Sequence, residues 1–194
     1  MQDSYRTERL LLRSFTKNDA SEVQRIAGRF EIADTTLNVP HPYEDGMAES
    51  WIETHARERD LGTGFTYAIE LQPQPRLVGA VSLIHSKNHR RAEIAYWVDP
   101  DFWNQGIGTE AASILLDDAF DSLELAKVWG AHFAENPASG RILAKLGMRQ
   151  EALLRSHYSR LGRLRDTVYL GILRSEWETD RARGKVIRSH TVSD

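Results

Sequence analysis

The sequence predicts an α/β protein built on a mixed sheet. Two observations carry this reading. The middle of the chain places strands in hairpin order, and the second half runs strand–helix–strand–helix before two further strands. A purely parallel doubly wound sheet would alternate strands and helices from the start. The count is about seven strands flanked by about four helices.

The elements follow from local chemistry. Residues Glu8 to Phe15 carry Leu10, Leu11, Leu12 and Phe15 between arginines, a first strand. Thr16 then caps a helix, with Asp19 three residues on, so that side-chain oxygens satisfy free backbone N–H groups. The helix runs to Gly28, a suitable C-terminal stop. Phe30 to Gly46 reads as irregular, because Pro40 and Pro42 break helices. Met47 to Leu61 is a second helix, with Trp51, Ile52 and His55 at helical spacing. Phe65–Leu71 and Leu77–His85 form a hairpin around the proline-bearing turn Gln72 to Arg76. Arg91 to Val98 is the fourth strand, with Ala92, Ile94, Tyr96 and Val98 on one face and Glu93, Ala95 and Trp97 on the other.

A loop from Asp99 leads to a helix over Thr109–Leu123, whose buried stripe is Ala112, Leu115, Leu116, Ala119 and Phe120. Ala126–Phe133 is the fifth strand. Asn136-Pro137 starts another helix, since asparagine caps and proline lacks the N–H left unsatisfied there. It stops at Gly147. Two late strands, Arg149–Tyr158 and Arg165–Leu173, flank a turn at Gly162, and the charged segment after Trp177 reads as a frayed tail.

Composition bounds the function. The 194 residues, 41% hydrophobic and 27% charged, suit one globular domain over 1–194, with a core of about 7–177 and a polar tail over 178–194. The net charge of −3 makes a polyanion-binding protein a poor reading. With no cysteine there is no disulfide scaffold, thiolate metal site or cysteine nucleophile. No signal-peptide pattern or apolar run near the ~20 residues of a membrane helix is present, so a cytoplasmic protein is expected, without membrane or nucleic-acid partners. The histidines His41, His55, His85, His89, His132, His157 and His190 form no metal-ligand spacing, and no metal is expected.

The most informative segment is Trp103-Asn104-Gln105-Gly106-Ile107-Gly108-Thr109-Glu110-Ala111, two glycines between a strand and a helix. Glycine lets backbone amides approach a ligand with no Cβ in the way. The helix start adds about half a positive charge and several free donors. Together they suit a pyrophosphate without needing a lysine or a metal. A Gly-x-Gly can also do no more than shape a tight loop. Gly106, Gly108 and Ala111 match the Rossmann fingerprint G-x-G-x-x-A, with Glu135 downstream, but Asp99 to Gln105 separate the first glycine from its strand, and hairpins precede it. No Gly-Lys-Ser/Thr follows, which excludes a Walker loop.

From roughly Thr7 to Trp177 the chain resembles the GCN5-related N-acetyltransferases (GNAT), within them the RimJ/RimL type. The resemblance is carried by Thr7-Glu-Arg-Leu-Leu-Leu-Arg, Ala92-Glu-Ile-Ala-Tyr-Trp-Val, Phe102-Trp-Asn-Gln-Gly-Ile-Gly-Thr-Glu-Ala, Asn136-Pro-Ala-Ser-Gly-Arg-Ile-Leu-Ala-Lys-Leu-Gly-Met, and Arg165-Asp166-Thr-Val-Tyr-Leu-Gly-Ile-Leu with Glu176-Trp177. It implies a mostly antiparallel central sheet whose fourth and fifth strands splay apart, and acetyl-CoA as cosubstrate lying in the gap. The family loop R/Q-x-x-G-x-G/A falls on Trp103, Asn104, Gln105, Gly106, Ile107 and Gly108, so amides from Gln105 to Thr109 are expected on the pyrophosphate. Trp103 departs from the Arg/Gln position. Backbone groups of Tyr96, Trp97 and Val98 are expected along the pantetheine arm, and Asn136 and Ser139 beside it.

For the chemistry, the absence of cysteine favours direct transfer to an amine over a covalent route. An oxyanion donor is expected from a backbone N–H near Trp97. Glu93 is the candidate base, as glutamates on that strand are in several family members; the alternative is a solvated glutamate paired with Arg90 or Arg91. Many members carry a tyrosine acid seven residues after the helix-starting asparagine, but that position here is Leu143. Ser139 or Tyr158 could substitute. His41, in the segment that walls the family's acceptor pocket, can equally be an ordinary loop residue.

The resulting expectation is an N-acetyltransferase acting on a primary amine, for instance a (ribosomal) protein N-terminal α-amine. The alternatives are a small-molecule amine acceptor (polyamine, antibiotic or amino acid) and a non-catalytic coenzyme A-binding module. Oligomeric state, a homodimer included, stays open.

Overall fold

The computed structural model describes residues 1–184. The observed sheet has eight strands in the order β1-β2-β3-β4-β5-β6-β8-β7. They are β1 (Ser4–Arg6), β2 (Leu10–Arg13), β3 (Gly64–Leu71), β4 (Arg76–Ser86), β5 (Arg91–Val98), β6 (Lys127–Phe133), β7 (Arg149–Arg160) and β8 (Arg163–Leu173). Six helices accompany them: α1 (Ala20–Ala27), α2 (Phe30–Thr35), α3 (Met47–Leu61), α4 (Ile107–Ser122), α5 (Pro137–Lys145) and α6 (Arg174–Ala182). Every neighbouring pair is antiparallel except β5 with β6, which are joined through α4.

The expected mixed architecture holds, with one more strand and two more helices. β1 is a three-residue pairing partner of β2, too short to show alternation. α2 lies in the segment read as irregular; it is six residues long, closes before the prolines, and buries Ile32 and Ala33. α6 replaces the start of the expected tail. Trp177 is buried against Phe120, rings stacked at 5.0 Å, and donates to Asp117 Oδ1 at 2.7 Å. The remainder of that tail, residues 185–194, and His190 lie outside the described residues. Asp19 accepts the Thr16 amide at 2.7 Å, the reach-back expected of a capping box, although a 3₁₀ turn separates this cap from α1.

Two apolar layers sandwich the sheet. On one face, Ala92, Ile94 and Val98 of β5 pack with α4 residues Ile107, Ala111, Leu115 and Phe120. On the other, Trp97 packs against Val23 and Ala27 of α1 and Ile52 of α3. Successive strand residues point to opposite faces, so Glu93 shares the α1–α3 side with Trp97.

That second layer contains His55, wedged between Phe15 and Trp51 at centroid distances of 5.4 and 4.5 Å. Both ring nitrogens are buried without a hydrogen-bond partner among the described residues. Burial pushes the imidazole pKa down to about 4. The unfolded chain binds this proton near about 6.5, so the stability His55 contributes as a neutral ring is complete above that pH and is lost as pH falls toward 4. His55→Leu is expected to shrink the drop in Tm between pH 7 and pH 4.5 by a few degrees, each kcal/mol being worth about 2–4 °C at this chain length. Thermal melts at the two pH values check it; equal drops in both proteins contradict the assignment.

Candidate active site

β5 and β6 pair over only three registers, Arg91 with Lys127, Ala92 with Val128 and Glu93 with Trp129, and then part. Beyond that point each strand runs on for several residues without the other. The phase of β5 tells which backbone groups face the opening. The Asp99 amide bonds to Val78 O at 2.7 Å, and the β4–β5 register is unbroken. In an antiparallel ladder alternate residues turn the same way, so Trp97 and Ala95 give their N–H and C=O to β4. Tyr96 and Val98 turn theirs into the gap. The donor expected near Trp97 is therefore committed to the ladder, and the amides available are those of Tyr96 and Val98. The Val98 carbonyl is itself taken by the Trp103 indole at 2.7 Å. This explains tryptophan at the position where an Arg or Gln was expected: the side chain fastens the loop to the end of β5.

The glycine loop sits at the wide end of the gap. Asn104 and Gly106 have φ of 61° and 81°, and α4 begins directly after, at Ile107 rather than at Thr109. The first amide to reach a helical acceptor is that of Glu110, bonding to Gly106 O at 3.0 Å. The amides of Ile107, Gly108 and Thr109 precede the first intrahelical acceptor and have no such partner in α4. A Cβ on Gly108 would lie 3.1 Å from Ile142 Cδ1 and 3.6 Å from Val98 Cγ2, in the passage between α4, α5 and β5.

Two outer contacts hold this loop. Arg9 donates to Gln105 O at 3.2 Å and forms a close ion pair with Glu110, while Thr7 Oγ1 donates to the same carboxylate at 2.7 Å. Behind the loop, the fully buried Asp99 accepts Arg25 Nη2 at 2.6 Å and Arg29 Nη1 at 3.3 Å. Gln105 is the one member of the expected cradle outside the cleft lining; its carbonyl and side chain serve the loop itself.

A cleft of about 1400 Å³ runs through the gap. That exceeds the roughly 300–1,000 Å³ of a single small-ligand pocket. It is lined at the loop end by Trp103, Asn104, Gly106, Ile107, Gly108, Thr109, Asn136 and Ser139, with Arg141 and Lys145 of α5. Asn136 Oδ1 caps α5 by accepting the Ser139 amide at 3.2 Å. Ser139 Oγ and the Tyr96 hydroxyl are 2.9 Å apart, and burial keeps that phenol protonated well above its usual range. Ser139 thus lies on the α5 side of the sheet.

Glu93, Tyr158, Tyr169, Trp129 and Trp97 line the other half of the cleft, together with residues 35–40 and Trp51. Glu93 makes no ion pair with Arg90 or Arg91, and burial raises its carboxyl pKa. The Tyr158 and Tyr169 hydroxyls are 3.2 Å apart, and Tyr169 stacks on Trp129 at 5.5 Å. Burial and that hydrogen bond push Tyr169 up to about 12. Of the three expected catalytic side chains, Glu93 and Tyr158 thus share one face and Ser139 the opposite one. Tyr169 was missed, although its even spacing from Arg165 and Thr167 along β8 marks the same face. Leu143 is buried over Gly130, where a Cβ would come within 2.9 Å of it. His41 is exposed and packs edge-on against Phe30, at the loop surface. Among the described residues, no group of three or more His, Cys, Asp or Glu could hold a metal ion, and no helix is long and apolar enough to cross a membrane.

Residues 9–149 match the family model described as the acetyltransferase (GNAT) domain. The chain is 29% identical over 169 residues to the uncharacterized N-acetyltransferase YoaA of Bacillus subtilis (strain 168), covering 87% of this chain and 95% of that protein. It is 24% identical over 172 residues to a spermidine N(1)-acetyltransferase of Vibrio cholerae, again covering 87% and 95%. Among solved structures, the ribosomal L7/L12 alpha-N-protein acetyltransferase RimL, in complex with coenzyme A, shares the fold with a TM-score of 0.79 at 15% identity, over 86% of this chain and 95% of that one.

Gly108→Val places a branched side chain in the narrow passage beside the free amides. The expected result is about tenfold or more weaker binding of acetyl-CoA, with the fold retained. Calorimetric titration checks it, and unchanged affinity refutes the cradle.

Proposed function

The chain belongs to the acetyltransferase (GNAT) family, and from that premise we propose that it transfers an acetyl group from acetyl-CoA directly to a primary amine held in the Glu93 half of the cleft. The observation that carries this is the parting of β5 and β6 between a cradle of free amides and a half-buried carboxylate that has no ion-pair partner among the described residues.

The residues fit the cosubstrate. The amides of Gly106, Ile107, Gly108 and Thr109 suit its pyrophosphate, aided by the start of α4. Arg141 and Lys145, one turn apart on α5, add positive charge at the same end. Tyr96 and Val98 offer amides along the gap, and Asn136 and Ser139 border it. When bound, coenzyme A supplies the acetyl thioester. Glu93 accepts the proton that the amine sheds, directly or through a water. A carboxylate whose pKa burial has raised is a better base than an ordinary one. The Tyr96 N–H is the donor for the carbonyl oxygen, since a fixed backbone dipole needs no reorganisation. The Tyr158 and Tyr169 hydroxyls, hydrogen-bonded to each other at 3.2 Å, supply donors on the acceptor face; Leu143, on the α5 face, carries no proton to give.

A protein N-terminal α-amine suits a single carboxylate base, because it titrates near about 7.7–8.0 against about 10.4 for lysine. One observation favours the second reading, a small cationic amine. Among the described residues, the acceptor half is lined by Glu93, Glu44 and Asp45 and by no Lys or Arg. The relative acting on spermidine and the solved enzyme acting on a ribosomal protein N-terminus represent both classes. Coenzyme A release with competing peptides and polyamines separates them. No release with any amine, despite tight acetyl-CoA binding, would favour a non-catalytic coenzyme A-binding module.

Glu93→Gln removes the base and a half-buried charge together. The expected outcome is a fall in kcat of about 10²–10⁴ with Tm unchanged or higher. The acid limb of the wild-type pH–rate profile should lie above the ordinary carboxylate range and vanish in the variant. Steady-state kinetics across pH 5–9 check this; wild-type turnover in Glu93→Gln removes Glu93 as the base.

A further inference from the structure

The β7–β8 hairpin does more than line the acceptor half of the cleft. Arg160 reaches from the end of β7 to the last turn of α2 and to the chain that follows it. Its Nε donates to Ala33 O at 2.9 Å and its Nη2 donates to Val39 O. One planar guanidinium therefore bridges two carbonyls six residues apart. Arg165, on β8, is buried over the Phe133 ring at 5.6 Å and donates to the Asp34 carboxylate, with Glu135 at 3.9 Å. Between the pinned points, Thr35 to Asn38 face the cleft. We propose that Arg160 and Arg165 are positioning residues that hold residues 33–40 as a fixed wall of the acceptor half, so that this hairpin sets affinity for the amine while touching neither the amine nor the cosubstrate.

Several features support a built clamp over an incidental contact. The segment between α2 and α3 carries Pro40 and Pro42 and has little regular structure of its own to hold it. Arg160 sets its planar fork on two defined carbonyls, a geometry lysine cannot reproduce, and Arg165 adds a charge-assisted bond from Nη2 to the Asp34 carboxylate. The same hairpin presents Tyr158 and Tyr169 to the cleft, so opposing walls of the acceptor half are tied into one unit. A wall that meets the amine equally before and during transfer acts on KM and leaves kcat alone.

This inference rests on the amine-acetylation reading, and the test separates the two. Arg160→Met, Arg160→Lys and Asp34→Asn are compared with wild type for acceptor KM, kcat, calorimetric acetyl-CoA affinity and hydrogen exchange over residues 33–40. Arg160→Met is expected to raise acceptor KM about tenfold, with kcat and acetyl-CoA affinity within about twofold, and to speed exchange of those amides about tenfold. Arg160→Lys should fall between, because one ammonium cannot span both carbonyls. An acceptor KM and an exchange rate both within twofold of wild type overturn the proposal, as does a loss confined to kcat. Should Arg160→Met not fold, Arg160→Lys and Asp34→Asn carry the same criteria. If wild type acetylates no amine, the functional reading fails, and the exchange rates alone decide the clamp.

Discussion

The short seam between β5 and β6 is the constraint on which the rest of the molecule turns. Three paired registers join the two strands before they separate. An interior sheet edge left open is costly, because buried N–H and C=O groups need partners. Other contacts keep β5 away from β6. The Trp103 indole draws the end of β5 toward the glycine loop, and the Tyr96 phenol bonds to Ser139 at the start of α5. Gly130 lets Leu143 settle on the face of β6, and Gly140 lets α5 approach His132, so the helix packs closely on that strand.

Around the opening, charge is arranged in layers. Arg9 and Thr7 hold Glu110 and the Gln105 carbonyl from outside, which orients the loop with its free amides turned inward. Arg25 and Arg29 meet Asp99 from behind. These contacts give the opening Thr7-Glu-Arg motif and the strand-ending Asp99 a physical role: both fix the backbone of the glycine loop. On the acceptor side the order is reversed. There Glu93 is half-buried, with no ion-pair partner among the described residues and Trp129 as its register neighbour on β6.

Much of this was legible in the sequence, and the remainder has identifiable causes. The glycine loop, the Asn136 cap and the alternation along β5 are local signals, written in residues that touch each other. α2 was not legible, because six residues ending before prolines are shorter than any helical period can reveal. α6 was hidden by its charge; Trp177 is its one buried residue, and one aromatic in a polar run carries no pattern. The commitment of the Trp97 amide depends on the hydrogen-bonding phase of β4 and β5, a non-local property. Alternation tells which face a side chain takes and not which neighbour a backbone group serves. Tyr169 joins Tyr158 and Glu93 only once β8 lies between β6 and β7, a strand order that no segment records by itself.

The same seam divides the sheet into two antiparallel blocks, β1 to β5 and β6 to β8, each assembled from its own neighbouring strands. A molecule threaded along the gap would act as a keystone, supplying the missing rung between the blocks. Occupancy and rigidity then become thermodynamically linked. The more tightly the gap is filled, the less the blocks can move apart, and resistance to unfolding grows with the logarithm of ligand concentration. The abundance of its cosubstrate would thus govern how long this protein survives as well as how fast it turns over.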